Sequence, residues 1–135
     1  MADTFQLEVA TPERLLVHED VSSAELPGKD GYMGVLAGHA PLLGRLGAGV
    51  LSYEQGSQRK ALAVSGGFIE IFENHVSVLA DYAEFANEIQ VDAARHDLEQ
   101  GQQEVNSAKS EEESQAGLAH TARAQAQVDA AAIKS

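Results

Sequence analysis

Apolar and polar residues alternate in short runs over the first two-thirds of the chain, then switch to a helical period. Phe5-Gln6-Leu7-Glu8-Val9 alternates residue by residue, the pattern of a half-buried strand. Leu15-Leu16-Val17 follows the turn signal Thr11-Pro12, and Val21 to Leu26 is a further strand stopped by Pro27-Gly28. Val50–Glu54 and Ala61–Val64 flank Gln55-Gly56-Ser57-Gln58, while Phe68–Ile71 and Val76–Leu79 flank Glu73-Asn74-His75. Each pair predicts a hairpin. Short strands at a spacing of roughly 8–12 residues with Gly/Pro turns predict a β-sandwich, or flattened barrel, of about ten short strands.

Beyond residue 88 the period changes. Val91, Ala94, Leu98, Gly101, Val105 and Ala108 recur at alternating spacings of 3 and 4, which puts them on one seam of a helix. Asp92 is placed to cap its start. Ser110-Glu111-Glu112-Glu113 has capping-box form, with Ser110 as N-cap and Glu113 reaching back. A second helix then runs to about Ile133, with Ala119, Ala122, Ala126 and Ala130 on one stripe. Two helices joined by so short a connection predict an antiparallel hairpin. The expected fold is therefore mainly β plus α, divided into a sandwich over 1–88 and a helical hairpin over 89–135. Alanine seams bury little area, at roughly 25 cal/mol per Å², so such a hairpin is weakly held.

Composition sharpens this division. All three prolines, ten of the twelve glycines and every Phe and Tyr precede residue 89, whereas eleven alanines and no aromatics follow it. The net charge is −12, and both parts are acidic. An acidic chain lacks the basic face that releases counterions from nucleic-acid phosphates, and it is repelled by anionic lipid. Without cysteine there are no disulfides and no thiolate chemistry. No apolar run reaches the roughly 18 residues of a membrane span, and Met1-Ala2-Asp3-Thr4 does not open a signal pattern.

The densest information lies in Leu26-Pro27-Gly28-Lys29-Asp30-Gly31-Tyr32-Met33-Gly34-Val35-Leu36-Ala37-Gly38-His39-Ala40-Pro41-Leu42-Leu43, where four glycines besides two prolines dictate backbone shape. This run resembles the signature of the epsilon subunit of rotary ATP synthases. Val64-Ser65-Gly66-Gly67-Phe68-Ile69-Glu70-Ile71 and Val76–Asp81 resemble that family's second signature at fitting separation. The resemblance implies a non-catalytic rotor subunit whose sandwich grips the gamma subunit and rests on the ring of membrane c subunits. It also implies a location on the cytoplasmic face of the bacterial inner membrane, reached through the complex. The ring-facing loop would hold Asp30, Gly31, Tyr32, Met33 and His39. An acidic residue often stands in the family where this chain has Tyr32, which predicts an aromatic contact instead.

By the same resemblance the hairpin can open, extend along gamma to the alpha/beta head and impede ATP hydrolysis. Those inhibitory helices carry basic residues; here only Arg123 and Lys134 follow Ser114, which predicts weak or absent inhibition. Val91-Asp92-Ala93-Ala94-Arg95-His96 resembles the [I/L]-D-x-x-R-A motif that binds ATP in some epsilon subunits, with His96 in place of the final alanine. Glu84, Val91, Asp92, Arg95 and Arg123 would be the ligands of a weak regulatory ATP. The bland alternative has Asp92 capping the helix and pairing with Arg95. No cofactor is required.

Residue types leave two rival readings. One is a free-standing nucleotide-sensing module using Asp92, Arg95 and Arg123. The other is an acid/base enzyme pairing His39 with Asp81 or Glu84. His39 has no Ser, Cys or Asp at catalytic spacing and reads as an imidazole that hydrogen-bonds loop backbone. Ser65-Gly66-Gly67 matches neither a nucleophile elbow nor a P-loop and predicts a tight turn or bulge where backbones approach. Gly44, Gly47 and Gly49 likewise read as turn and bulge glycines. The five histidines are scattered, without the spacing of a zinc site.

Overall fold

The structure is a computed structural model that describes residues 3–133. Met1, Ala2 and Lys134, which enter the sequence arguments above, lie outside the described residues. Eight strands come first: β1 (Phe5–Ala10), β2 (Leu15–Val21), β3 (Ser23–Gly28), β4 (Gly31–Leu36), β5 (Leu42–Arg45), β6 (Ala48–Gln55), β7 (Gln58–Phe72) and β8 (His75–Phe85). A single 3-10 turn over Ala86–Glu88 leads to α1 (Val91–Ser107) and α2 (Glu111–Ala131). The strands join in the order β2-β1-β8-β7-β6-β3-β4, with β5 paired to β7, and all pairs are antiparallel except β1–β8. The sheet folds over into a sandwich without closing. Leu7, Val9, Val21, Leu26, Leu51, Leu62, Val64, Ile69, Ile71, Val76 and Val78 fill its interior.

There are eight strands among the described residues, not about ten. The runs Ala61–Val64 and Phe68–Ile71, read separately from sequence, belong to the one 15-residue strand β7. This strand pairs with β6 through Ser65 and with β5 from Phe68 onward, so it passes from one layer to the other at Gly66-Gly67. Both glycines have positive φ (75° and 121°), and a Cβ on Gly67 would overlap the carbonyl oxygen of Leu79 on β8. The connection between β5 and β6 is stitched into this corner: Leu46 N–H donates to Gly67 O at 2.9 Å and Gly66 N–H to Gly47 O at 3.3 Å. Ser65-Gly66-Gly67 is thus a place of close backbone approach, as expected. The expected strand from Val21 to Leu26 is interrupted at Ser22: Val21 closes β2 and β3 opens at Ser23. Gly44, Gly47 and Gly49 are not positive-φ turn residues; Gly44 and Gly49 lie within strands, and Gly47 packs on the backbone of Gly28 and Lys29.

Two tight turns build the hairpins. Gln55 pairs with Gln58 across Gly56-Ser57, and Phe72 pairs with His75 across Glu73-Asn74, whose φ values of 49° and 60° are those of a primed turn.

The helices form the predicted hairpin. Ala94 and Gly101 are buried on the α1 seam. On α2 the stripe differs from expectation: Ala119 and Ala122 are exposed, whereas Gly117, Ala124, Ala126 and Ala130 are buried. The reason is that α2 has two neighbours. Gly117 and Thr121 meet Val105 and Gly101 of α1, while Ala126 and Ala130 pack on Val50, Ala61 and Ala63 of the sheet. Asp92 does not cap α1. The helix begins two residues earlier, with Gln90 at the N-cap, so Asp92 sits in the first turn, where its negative charge complements the positive end of the helix dipole. Ser110 caps α2 by accepting from Glu113 N–H at 3.1 Å, and the Glu113 carboxylate reaches back to Lys109 N–H at 3.2 Å.

Gly67→Ala is expected to lower unfolding stability by ~2 kcal/mol or more, because it adds an overlap to a backbone angle that L-residues avoid. Ser110→Ala should cost only about 1 kcal/mol. Urea denaturation of the two variants checks both magnitudes.

Candidate functional site

The polar contact between hairpin and sandwich is centred on Tyr82 of β8. Its ring carries the Arg123 guanidinium at 4.6 Å, and its hydroxyl donates to Glu84 Oε1. Gln127 Nε2 donates to Tyr82 Oη at 2.8 Å and lies 3.4 Å from Glu84 Oε1. Tyr82 and Glu84 face outward from one strand, two residues apart, while Arg123 and Gln127 are one helical turn apart on α2. Burial raises the Tyr82 phenol, and the hydrogen bond to Glu84 raises it further, so it stays protonated and remains a donor.

A second tie holds the linker. Arg14, in the β1–β2 turn, reaches Glu88 with both ends of its fork, at 2.8 and 3.3 Å, and Phe85 N–H donates to Glu88 Oε1 at 3.2 Å. The Arg14 hydrogen bond holds the Glu88 carboxyl below its ordinary value. The bond bridges the chain just before it leaves the sandwich for α1.

The five proposed nucleotide residues are only partly gathered. Glu84 and Arg123 meet around Tyr82. Asp92 and Arg95 are exposed on α1, which makes its contacts with α2, whereas α2 is the helix that lies against β6 and β7. Val91 is half-buried at the start of α1. No ion pair joins Asp92 to Arg95 among the described residues. His39 and Asp81 line different clefts, the first with Gly38, Pro41 and Asn74, the second with Gly66, His120 and Arg123. His39 Nδ1 lies 2.7 Å from Ala40 O, a loop contact.

Asp30, Gly31, Tyr32, Met33 and His39 do not share one loop. Asp30 lies in the β3–β4 turn, where Gly31 opens β4 and pairs with Gly28; Tyr32 and Met33 follow within β4. His39 lies beyond the far end of that strand, because six extended residues at ~3.3 Å each separate the two ends. The opposite outer face of the sandwich carries apolar residues in register. Arg45, Phe68, Leu79, Ala10 and Leu15 are successive cross-strand partners over β5, β7, β8, β1 and β2. Phe68, Leu79 and Leu15 are each more than half exposed, and Leu43 beside them is 78 % exposed.

Residues 4–86 match the family described as ATP synthase, Delta/Epsilon chain, beta-sandwich domain. A relative named ATP synthase epsilon chain from Solibacter usitatus is 50% identical over 129 residues, 95% of this chain and 96% of its own length. Another of that name from Koribacter versatilis is 40% identical over 105 residues, 78% of this chain and 74% of its own. The chain belongs to the ATP synthase epsilon family. Among solved structures, a chain in the Euglena gracilis mitochondrial ATP synthase (OSCP/F1/c-ring) superposes with a TM-score of 0.83 at 22% identity, covering 96% of this chain and 82% of its own. That likeness concerns the fold.

Within this epsilon-family chain the strongest family match covers the strands. The relative from Solibacter extends the likeness over nearly the whole length, helices included. No helix among the described residues is long and apolar enough to cross a membrane. Sequence reasoning missed Tyr82, Gln127, Arg14 and Glu88. No local pattern marks them, since each acts through a partner 43 to 74 residues away. The outer apolar row did leave a signal: Phe68-Ile69-Glu70-Ile71-Phe72 is apolar at outward as well as inward positions.

Gln127→Ala is expected to speed amide exchange along α2 roughly fivefold, equivalent to about 1 kcal/mol for the lost hydrogen bonds, with β1–β8 exchange unchanged. For the linker, a carboxyl lowered on folding contributes stability that is complete above the ordinary carboxylate range and drains away as pH falls below it. The protection factor of the Phe85 amide, its exchange rate relative to that of an unfolded amide at the same pH, should therefore fall in acid. In Arg14→Ala a side-chain NMR titration should find Glu88 returned toward its ordinary value.

Proposed function

We propose that this chain is a non-catalytic subunit of the central stalk of the proton-translocating ATP synthase. It would bind the gamma subunit and rest against the c-ring at the cytoplasmic face of the bacterial inner membrane, held there by the complex. The observation that carries this reading is the apolar row across β5, β7, β8, β1 and β2 in a chain of the epsilon family. A rotor element must be clamped over a broad, dry contact if torque is not to turn it on its seat. Phe68, Leu79, Leu15 and Leu43 offer such a surface on the paired strands of the sandwich. The sandwich (1–88) would be the rigid body and the hairpin (89–135) the movable one. Phe68→Asp and Leu79→Asp change exposed side chains, so each variant should fold. Each should weaken capture of purified gamma at least tenfold in a binding titration. Unchanged capture would move the gamma contact elsewhere.

The hairpin offers few cations to acidic segments of the alpha/beta head, with Arg123 already committed to Tyr82. Removal of residues beyond Glu88 is therefore expected to leave ATP hydrolysis by the assembled head within about twofold; a several-fold rise would show that the hairpin inhibits. A nucleotide bound by Glu84, Val91, Asp92, Arg95 and Arg123 would have to draw Arg123 off the Tyr82 ring and Glu84 from Gln127. Calorimetry with ATP should accordingly give no submillimolar binding. Submillimolar affinity would favour a nucleotide sensor.

A further inference from the structure

We infer that Tyr32 is a positioning residue that braces the β3–β4 hairpin across the outer face of the sheet, its ring more than half exposed and its hydroxyl tied to β6. The β3–β6 ladder pairs Ser23 with Glu54, Ala24 with Tyr53 and Glu25 with Ser52, and then stops. Continued in the same register it would bring Pro27 opposite Val50, but proline has no N–H to give. Instead β3 veers toward the β5–β6 connection: Gly47 N–H donates to Pro27 O at 2.8 Å and Lys29 N–H to Arg45 O at 2.9 Å. The split leaves Val50 N–H without a strand acceptor on that side. Tyr32 Oη fills the place, accepting from Val50 N at 2.9 Å.

Three features make this a built contact. Tyr32 is on β4, the last strand of the sheet, whose only ladder partner among the described residues is β3. Its side chain crosses over β3 beside Pro27 and ties β4 to the next strand but one. Gly49 leaves room for it, since a Cβ there would overlap the Tyr32 hydroxyl and come within 2.9 Å of Pro27 Cβ. The hydroxyl also takes up an amide that would otherwise lack an acceptor in a part-buried position. Together with the bonds from Gly47 and Lys29, the tie fixes both arms of the hairpin whose tip is Lys29-Asp30. That tip becomes a stiff projection and not a pliant loop. Its use as a mechanical contact rests on the central-stalk reading above; the brace itself does not.

The full-length chain tests the brace directly. In Tyr32→Phe, which keeps the ring, Val50 amide exchange should quicken at least tenfold and the backbone order parameters of Lys29, Asp30 and Gly31 should fall, while Leu7 and Val9 stay protected. Gly49→Ala, with Tyr32 intact but its hydroxyl displaced, should reproduce both changes. Unchanged Val50 exchange in Tyr32→Phe, or an undiminished order parameter at the tip, would overturn the inference. A second arm uses the assembled synthase. If Tyr32→Phe lowers ATP-driven proton pumping while exchange in the free chain is unaltered, Tyr32 touches a partner directly and the brace is wrong. Faster exchange with unaltered pumping upholds the brace and counts against a mechanical role for the tip.

Discussion

The architecture turns on the contact between the backbone of Gly67 and that of Leu79. At this point β7 leaves one layer of the sandwich and enters the other, and only a residue without a side chain lets the two strands lie so close. Because β7 is continuous, the two layers are parts of a single bent sheet, and a force applied to one reaches the other along covalent chain and ladder. The stitches from Leu46 and Gly47 keep the bend from opening. Large inward side chains, Ile69 and Ile71 after the bend and Leu62 and Val64 before it, then fill the space that the bend encloses.

The hairpin is attached by different means. Its apolar seat consists of Ala126 and Ala130 on Val50, Ala61 and Ala63, small groups that remove little surface from water. Directional contacts supplement the seat: Arg123 over the Tyr82 ring, Gln127 on the Tyr82 hydroxyl, and Glu84 completing the set. Such contacts set where the helices dock and contribute little to how tightly, since water can replace each of them at modest cost. The Arg14–Glu88 fork holds the chain at the edge of this docking surface, where the 3-10 turn that carries Glu88 meets α2.

Much of this could be read from residue order because it is local. The alternation in Phe5–Val9, the two tight turns, the Ser110 cap and the α1 seam follow from neighbours a few positions apart. The glycine-rich signatures disclosed the family. What could not be read is what depends on pairing over distance. Ala61–Val64 and Phe68–Ile71 look like two strands because Gly66-Gly67 looks like a turn; only the presence of β5 on the far side makes them one. The α2 stripe was misplaced because a helix with two neighbours buries two faces, and alanines at 119, 122, 124, 126 and 130 offer several stripes without ranking them. Asp92 looks like a cap because its side chain suits one, but the helix already opens at Val91 with Gln90, a weak capping residue, before it. Candidate residues fared unevenly for the same reason: Glu84 and Arg123 converge on a tyrosine that no motif flagged, while His39 is separated from Asp30 by the whole length of β4.

The helices are layered in sequence on the sheet. α1 has its seat on α2, and α2 has its seat on the sheet. The first helix rests mainly on the second, and Gly101 and Gly117 keep the pair in close mesh. The long α1–α2 seam therefore presents the two helices to the sheet as one layer, joined to the last strand through Ile89-Gln90.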